Sequence, residues 1–148
     1  MKKILILHTG GTIAMRENLL TGGVSPDVVN PLLDAEIEIP EDVDLVIEDI
    51  FNLPSPHIMP KHMLILKKRI NEAYHLGFDG VVITHGTDTL EETAFFLDTT
   101  IGDKLPIVLT GAMRSSNELG SDGLYNFESA IRVASCKEAN GKGVLVVM

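Results

Sequence analysis

The chain has 148 residues, 45% of them apolar and one of them Cys, with a formal net charge of −9. That length and apolar content fit one domain with a conventional core, and the negative charge argues against nucleic acid and anionic membrane as partners. A single thiol cannot form an intrachain disulfide and fits a reduced, cytoplasmic setting, and no apolar segment approaches membrane-spanning length.

Strand and helix signals alternate along the chain. Met1-Lys2-Lys3 followed by the apolar run 4–7 is superficially signal-like, but the run is short and His8-Thr9 end it. It reads as a strand covered on both faces. Residues 13–24 hold a Gly22-Gly23 turn signal and few core candidates, and read as a hairpin or lid. Asn30-Pro31 is expected to open a short helix. Between residues 34 and 49, acids stand at 34, 36, 38, 41, 42, 44, 48 and 49 with no Lys or Arg. A solvated loop and edge strand is favoured there over an acidic docking site. Residues 43–51 form the second strand, and Pro54, Pro56 and Pro60 punctuate the loop after it.

The spacing of Met63, Leu66, Ile70 and Ala73 predicts a helix over 60–76, stopped by Gly77. A third strand spans 80–84. The next helix opens near Thr89, with Leu90, Ala94 and Leu97 inward, and Thr89 with Glu92 fits a capping box. A fourth strand (106–109), a third helix (122–135, with Leu124, Phe127, Ile131 and Ala134 inward) and a fifth strand (143–148) follow. The alternation predicts an α/β fold: a three-layer, mostly parallel, flavodoxin-like sheet with helices on both faces. A strand order of 2-1-3-4-5 would put the switch point, where such sheets bind ligands, between strands one and three.

Those two strands deliver the two threonine-rich turns of the chain. In Thr9-Gly10-Gly11-Thr12, paired glycines allow close backbone approach to a ligand, and their amides can face a developing oxyanion. A Thr hydroxyl attacks only with a base to take its proton. On this motif alone, a strand-ending turn whose hydroxyls hold backbone amides has the larger share. The motif is neither a dinucleotide fingerprint nor a Walker loop, and no cofactor or metal is implied.

In Thr84-His85-Gly86-Thr87-Asp88-Thr89, Asp88 stands at a helix start, where the dipole favours an ionised carboxylate able to hold an ammonium group. Thr87 can hydrogen-bond, orient a water or attack. Ser55 lies between Pro54 and Pro56, which would fix its hydroxyl in one place, although an ordinary surface Ser is the commoner case. His8 and His85 flank the crevice as acid–base candidates, with a hydrogen-bonded structural role favoured for each. His57 and His62 lack the spacing of a helical metal pair. Arg114 reads as locking its loop to nearby carbonyls, Ser121-Asp122-Gly123 as helix-start chemistry, and Cys136 as a packed or idle thiol near a helix end.

Thr9-Gly10-Gly11-Thr12-Ile13-Ala14, and the run from Val81 through Thr84 to Thr89, resemble the two signatures of the bacterial-type L-asparaginases. Residues 109–114, Asp122-Gly123 and residues 143–148 are also similar to that family, in its cytoplasmic, type I-like form. The resemblance implies hydrolysis of L-asparagine to L-aspartate and ammonia without a cofactor. It implies Thr12 as the acylating nucleophile and Thr87 with Asp88 as the second part of the catalytic site. Asp88 would bind the substrate amino group, and Ser55 with neighbouring amides its carboxylate. It also implies a homo-oligomer, dimer or tetramer, and a second, smaller domain.

Residues 1–148 are therefore expected to be the amino-terminal catalytic domain of a longer, two-domain protein, nearly inactive alone. The family's Lys partner for the Thr-Asp pair is expected just beyond Met148. The family commonly has a Tyr in the lid after the first signature, and residues 13–30 contain none; Tyr74 and Tyr125 fall on predicted helices. Two other functions stay open. Archaeal amidotransferase subunits acting on glutamyl-tRNA share both signatures but need a basic surface for tRNA. A non-catalytic amino-acid-binding domain would not need both Thr12 and Thr87.

Overall fold

Strand β1 (Lys2–His8) lies inside the sheet, with a neighbour on each side, and both of its faces are apolar. Leu5 and Leu7 enter one core cluster, and Ile4 and Ile6 enter the other. This computed structural model describes residues 1–26, 32 and 37–148. After β1 come a short antiparallel pair, β2 (Met15–Glu17) and β3 (Val24–Pro26), then β4 (Val43–Asp49). Helix α1 (Pro60–His75), β5 (Gly80–Thr84), α2 (Leu90–Ile101), β6 (Ile107–Thr110), α3 (Gly123–Ala134) and β7 (Val144–Val147) complete the order.

The main sheet runs β4-β1-β5-β6-β7 with every pairing parallel. Counted along the chain, that is the expected 2-1-3-4-5. Helices cover both faces. Leu66, Ile70 and Ala73 of α1 and Leu90, Leu97 and Ile101 of α2 pack on the Leu5 side. Phe127, Ala130, Ile131 and Ala134 of α3 pack on the Ile4 side. The 3- and 4-residue spacings bring these side chains onto one stripe of each helix. The acidic strand β4 sits at a sheet edge, where charge discourages pairing with another chain. Residues 13–24 form the expected hairpin through β2 and β3.

Four expectations need correction or fall elsewhere. Thr89 makes no side-chain cap bond, so no capping box forms; its hydroxyl donates instead to the Ser55 carbonyl at 2.8 Å. Leu124 is exposed, and Asn126 is buried in its place, because Asn126 donates to the Gly111 carbonyl at 3.0 Å. Of the two readings for Cys136, packed or idle, the packed one fails: Cys136 lies beyond the end of α3 and is exposed, and its thiol donates to Glu138. The helix expected at Asn30-Pro31 lies outside the described residues.

Candidate active site

The carboxyl ends of β1, β4 and β5 bring three loops together at the switch point. The backbone first ties the loops to one another. Thr9 donates its amide (3.1 Å) and its hydroxyl (2.8 Å) to the Thr84 carbonyl, joining the first turn to the second. The Leu53 amide donates to the Thr9 carbonyl at 2.9 Å, bringing in the loop after β4. His85 donates its amide to the Thr110 carbonyl at 2.8 Å, adding the loop after β6.

The glycines permit contacts that no other residue would. Gly11 has φ 84 and ψ 179, a region essentially reserved for glycine. A Cβ built there would lie 2.4 Å from both Cα and N of Gly86. The residues that follow, Thr12 and Thr87, therefore leave from backbones in direct contact, and both are half-buried. Gly11→Ala should destabilise the whole protein by at least about 2 kcal/mol, because the backbone strain alone costs roughly 1–3 kcal/mol and the clash is with backbone. Chemical denaturation measures this, and a wild-type midpoint would contradict the contact.

Ser55 is the hub of the third loop. It is buried, in a one-turn helix, Ser55–His57, that follows Pro54. Its hydroxyl accepts from the Asp88 amide at 3.1 Å and faces Asp88 Oδ2 at 3.4 Å. Its carbonyl takes the Thr89 hydroxyl. Ser55 therefore holds the turn before α2, and Asp88 stands exposed beside it, next to the positive end of that helix. All four sequence-predicted residues, Thr12, Ser55, Thr87 and Asp88, are carried by these three linked loops.

The histidines take the structural roles favoured for them. His85 is buried, with Nδ1 2.8 Å from the Gly86 carbonyl and Nε2 2.9 Å from the Thr93 hydroxyl. Burial lowers its pKa, against the Gly86 hydrogen bond and the charge of Glu91. Burial also pushes His8 down to about 4, opposed by Asp49. In the unfolded chain His8 titrates near 6.5, so between these values the unfolded state binds more protons. The His8 contribution to stability is thus complete above about pH 6.5 and is lost as pH falls toward 4. The loss should reach about 3 kcal/mol, and His8→Gln should flatten the pH dependence of the unfolding free energy, measured by urea denaturation, by that amount. An unchanged slope would show that His8 is not buried neutral.

Sequence reasoning missed the partners that hold these groups. Asp122 accepts from the amides of Met113 (3.0 Å) and Arg114 (3.0 Å) and from Asn126, closing the loop after β6. Burial alone would raise its pKa, but these donors outweigh burial and hold it below the usual carboxylate range. Arg114 donates to the Leu119 carbonyl at 2.7 Å, the loop-locking role expected. Thr93 could have been suspected from its place among the inward positions of α2. Among the described residues no group of three or more His, Cys, Asp or Glu could hold a metal ion, and no helix is long and apolar enough to cross a membrane.

Residues 3–148 match the family model described as "Asparaginase, N-terminal". The chain belongs to the asparaginase family. It is 42% identical over 151 residues to a protein named L-asparaginase from Bacillus licheniformis, across 99% of this chain and 46% of that protein. A crystal structure of a probable cytoplasmic L-asparaginase from Campylobacter jejuni superimposes with a TM-score of 0.87 at 41% identity. It covers all of this chain and 44% of that one. A glutamyl-tRNA(Gln) amidotransferase subunit from Methanococcus vannielii is 39% identical across all of this chain and 34% of that protein. The chain thus spans less than half the length of these relatives. An asparaginase fold accounts for the parallel five-stranded sheet with helices on both faces.

Proposed function

We propose that residues 1–148 are the amino-terminal, site-bearing domain of an L-asparaginase that converts L-asparagine to L-aspartate and ammonia. In this reading the Thr12 hydroxyl attacks the side-chain amide carbon of asparagine. Its proton goes to a base, which passes it to the amide nitrogen as the tetrahedral intermediate expels ammonia. Water then cleaves the resulting ester, releasing aspartate and restoring Thr12. Asp88 pairs with the substrate ammonium, Ser55 binds its carboxylate, and Thr87 assists proton transfer beside Asp88. The observation that supports the reading is the Gly11–Gly86 backbone contact, which sets Thr12 and Thr87 on adjoining turns, with Ser55 packed against Gly86. No step calls for a cofactor.

The experiment is ammonia release from asparagine by the whole protein; no release at any substrate concentration would refute the reading. The 148-residue piece alone should be nearly inactive, because removing members of a catalytic unit costs orders of magnitude. A cytoplasmic protein fits the exposed free Cys136 and the similarity to the probable cytoplasmic Campylobacter enzyme. A homo-oligomer, expected from the family, is tested by light scattering on the eluting whole protein. The Methanococcus relative supports a second reading, an amidotransferase subunit acting on glutamyl-tRNA. The net charge of −9 weighs against it.

A further inference from the structure

Three buried polar side chains end the strands beneath the site loops. His8, Thr84 and Thr110 are in-register partners on β1, β5 and β6. Two residues earlier on each strand stand Ile6, Val82 and Val108, all in the cluster under α3. Strand alternation therefore turns the three polar side chains toward α3, where the Phe127 ring lies 5.7 Å from the His8 ring. His8 is 1% exposed, and Thr84 and Thr110 are 0% exposed. His8 Nδ1 and the Thr84 hydroxyl are 2.7 Å apart. His8 Nε2 and Thr110 Oγ1 are buried with no hydrogen-bond partner among the described residues.

Proton counting shows what the row needs. A neutral imidazole brings one N–H and one lone pair, and each Thr brings one O–H. Among the described residues the side chains of the row make a single hydrogen bond, between His8 and Thr84. If Thr84 donates, the protons on Nε2 and on Thr110 point at no acceptor. If His8 donates, those on Thr84 and Thr110 do. Buried polar groups in native proteins are paired, and the apolar neighbours Ile6, Val82, Val108 and Phe127 offer nothing to pair with. Water supplies both lone pairs and protons, and is held where several polar groups converge.

We propose that the His8–Thr84–Thr110 row is a built site for buried water, which links the ends of β1 and β6 across β5 and so fixes the loops above. Three of the loops at the site leave from members of the row: Thr9–Thr12 from His8, His85–Asp88 from Thr84, and Gly111-Ala112 from Thr110; the Ser55 loop leaves from β4 and is tied in through the Leu53–Thr9 and Ser55–Asp88 bonds. His8 and Thr110 are positioning residues here; the water is a structural ligand and takes no part in the reaction. The kinetic part of the proposal rests on the asparaginase reading, and the structural part does not.

The test is crystallography of the whole protein at a resolution that orders internal solvent, with kinetics on three variants. At least one water is expected within hydrogen-bond distance of His8 Nε2 or Thr110 Oγ1; protein partners at both atoms, or dry contacts at both, overturn the proposal. Thr110→Val keeps the shape and removes the hydroxyl. It should lower kcat roughly tenfold at unchanged KM, since small misplacements of a site are felt in the chemical step. His8→Phe should do the same, and His8→Gln, which keeps a donor and an acceptor, should recover most of the loss. Wild-type kcat in both Thr110→Val and His8→Phe overturns the positioning role. An inactive whole protein with a hydrated row refutes the asparaginase reading alone, whereas an active one with a dry row refutes this proposal alone.

Discussion

Thr12→Ala should reduce asparagine turnover by the whole protein by at least about a thousandfold while leaving the fold intact, because a covalent route cannot proceed without its nucleophile. The structural cost is expected to be small. Thr12 opens a one-turn helix, Thr12–Ala14, whose geometry is set by Gly11 before it and by the Ala14 amide bonded to the Gly11 carbonyl at 2.9 Å. Neither feature uses the Thr12 side chain. The substitution removes a hydroxyl from a half-buried position, so the melting temperature should stay near wild type while kcat collapses. Substrate binding through Ser55 and Asp88 should persist, measurable by calorimetry with asparagine. Thr12→Ser should retain part of the rate, since it keeps the hydroxyl and loses only a methyl group. If instead Thr87→Ala abolishes turnover and Thr12→Ala does not, the nucleophile is on the second turn and the two roles exchange.

The parts of the molecule that were legible in the sequence are those with local causes. The buried strands β1, β5 and β6 read as continuous apolar runs because both faces are covered. The helices read from their spacing, and the parallel sheet followed from the alternation, which leaves the strand order itself open. The misreadings share one origin: a polar side chain can satisfy several partners, and sequence shows only the near ones. Thr89 and Glu92 look like a capping box, yet the Thr89 hydroxyl is taken by a carbonyl 34 positions earlier in the chain. Leu124 looks inward by spacing, but Asn126 occupies the buried position because its amide is needed at Gly111. Similarly, His8, Thr84 and Thr110 each end an apolar run, and only the register of the sheet makes them a row. Of the candidate site, the two turns were visible as motifs; the Ser55–Asp88 link across 33 positions was not derivable from either.

That link makes Asp88→Asn the second large effect: kcat/KM for asparagine should fall roughly a hundredfold to a thousandfold. The substitution is nearly isosteric, and the Asp88 amide keeps its bond to the Ser55 hydroxyl, so the turn should hold its shape. What changes is charge. In the proposed complex the substrate ammonium faces the Asp88 carboxylate, and removing one partner of such a pair costs about 2–5 kcal/mol when the other charge is left unmatched. Ser55→Ala acts differently. It removes the acceptor of the Asp88 amide and the group 3.4 Å from Oδ2, so it loosens the carboxylate as well as losing the proposed contact to the substrate carboxylate. Because the two residues share these bonds, the double variant should lose less than the product of the single effects. Fully multiplicative losses would mean that Ser55 and Asp88 act on the substrate independently, and the hub role of Ser55 would fall. A substrate analogue without the α-amino group supplies the complementary check: it should be turned over poorly by the wild type and be nearly indifferent to Asp88→Asn, since the charge removed from the enzyme has no counterpart to lose.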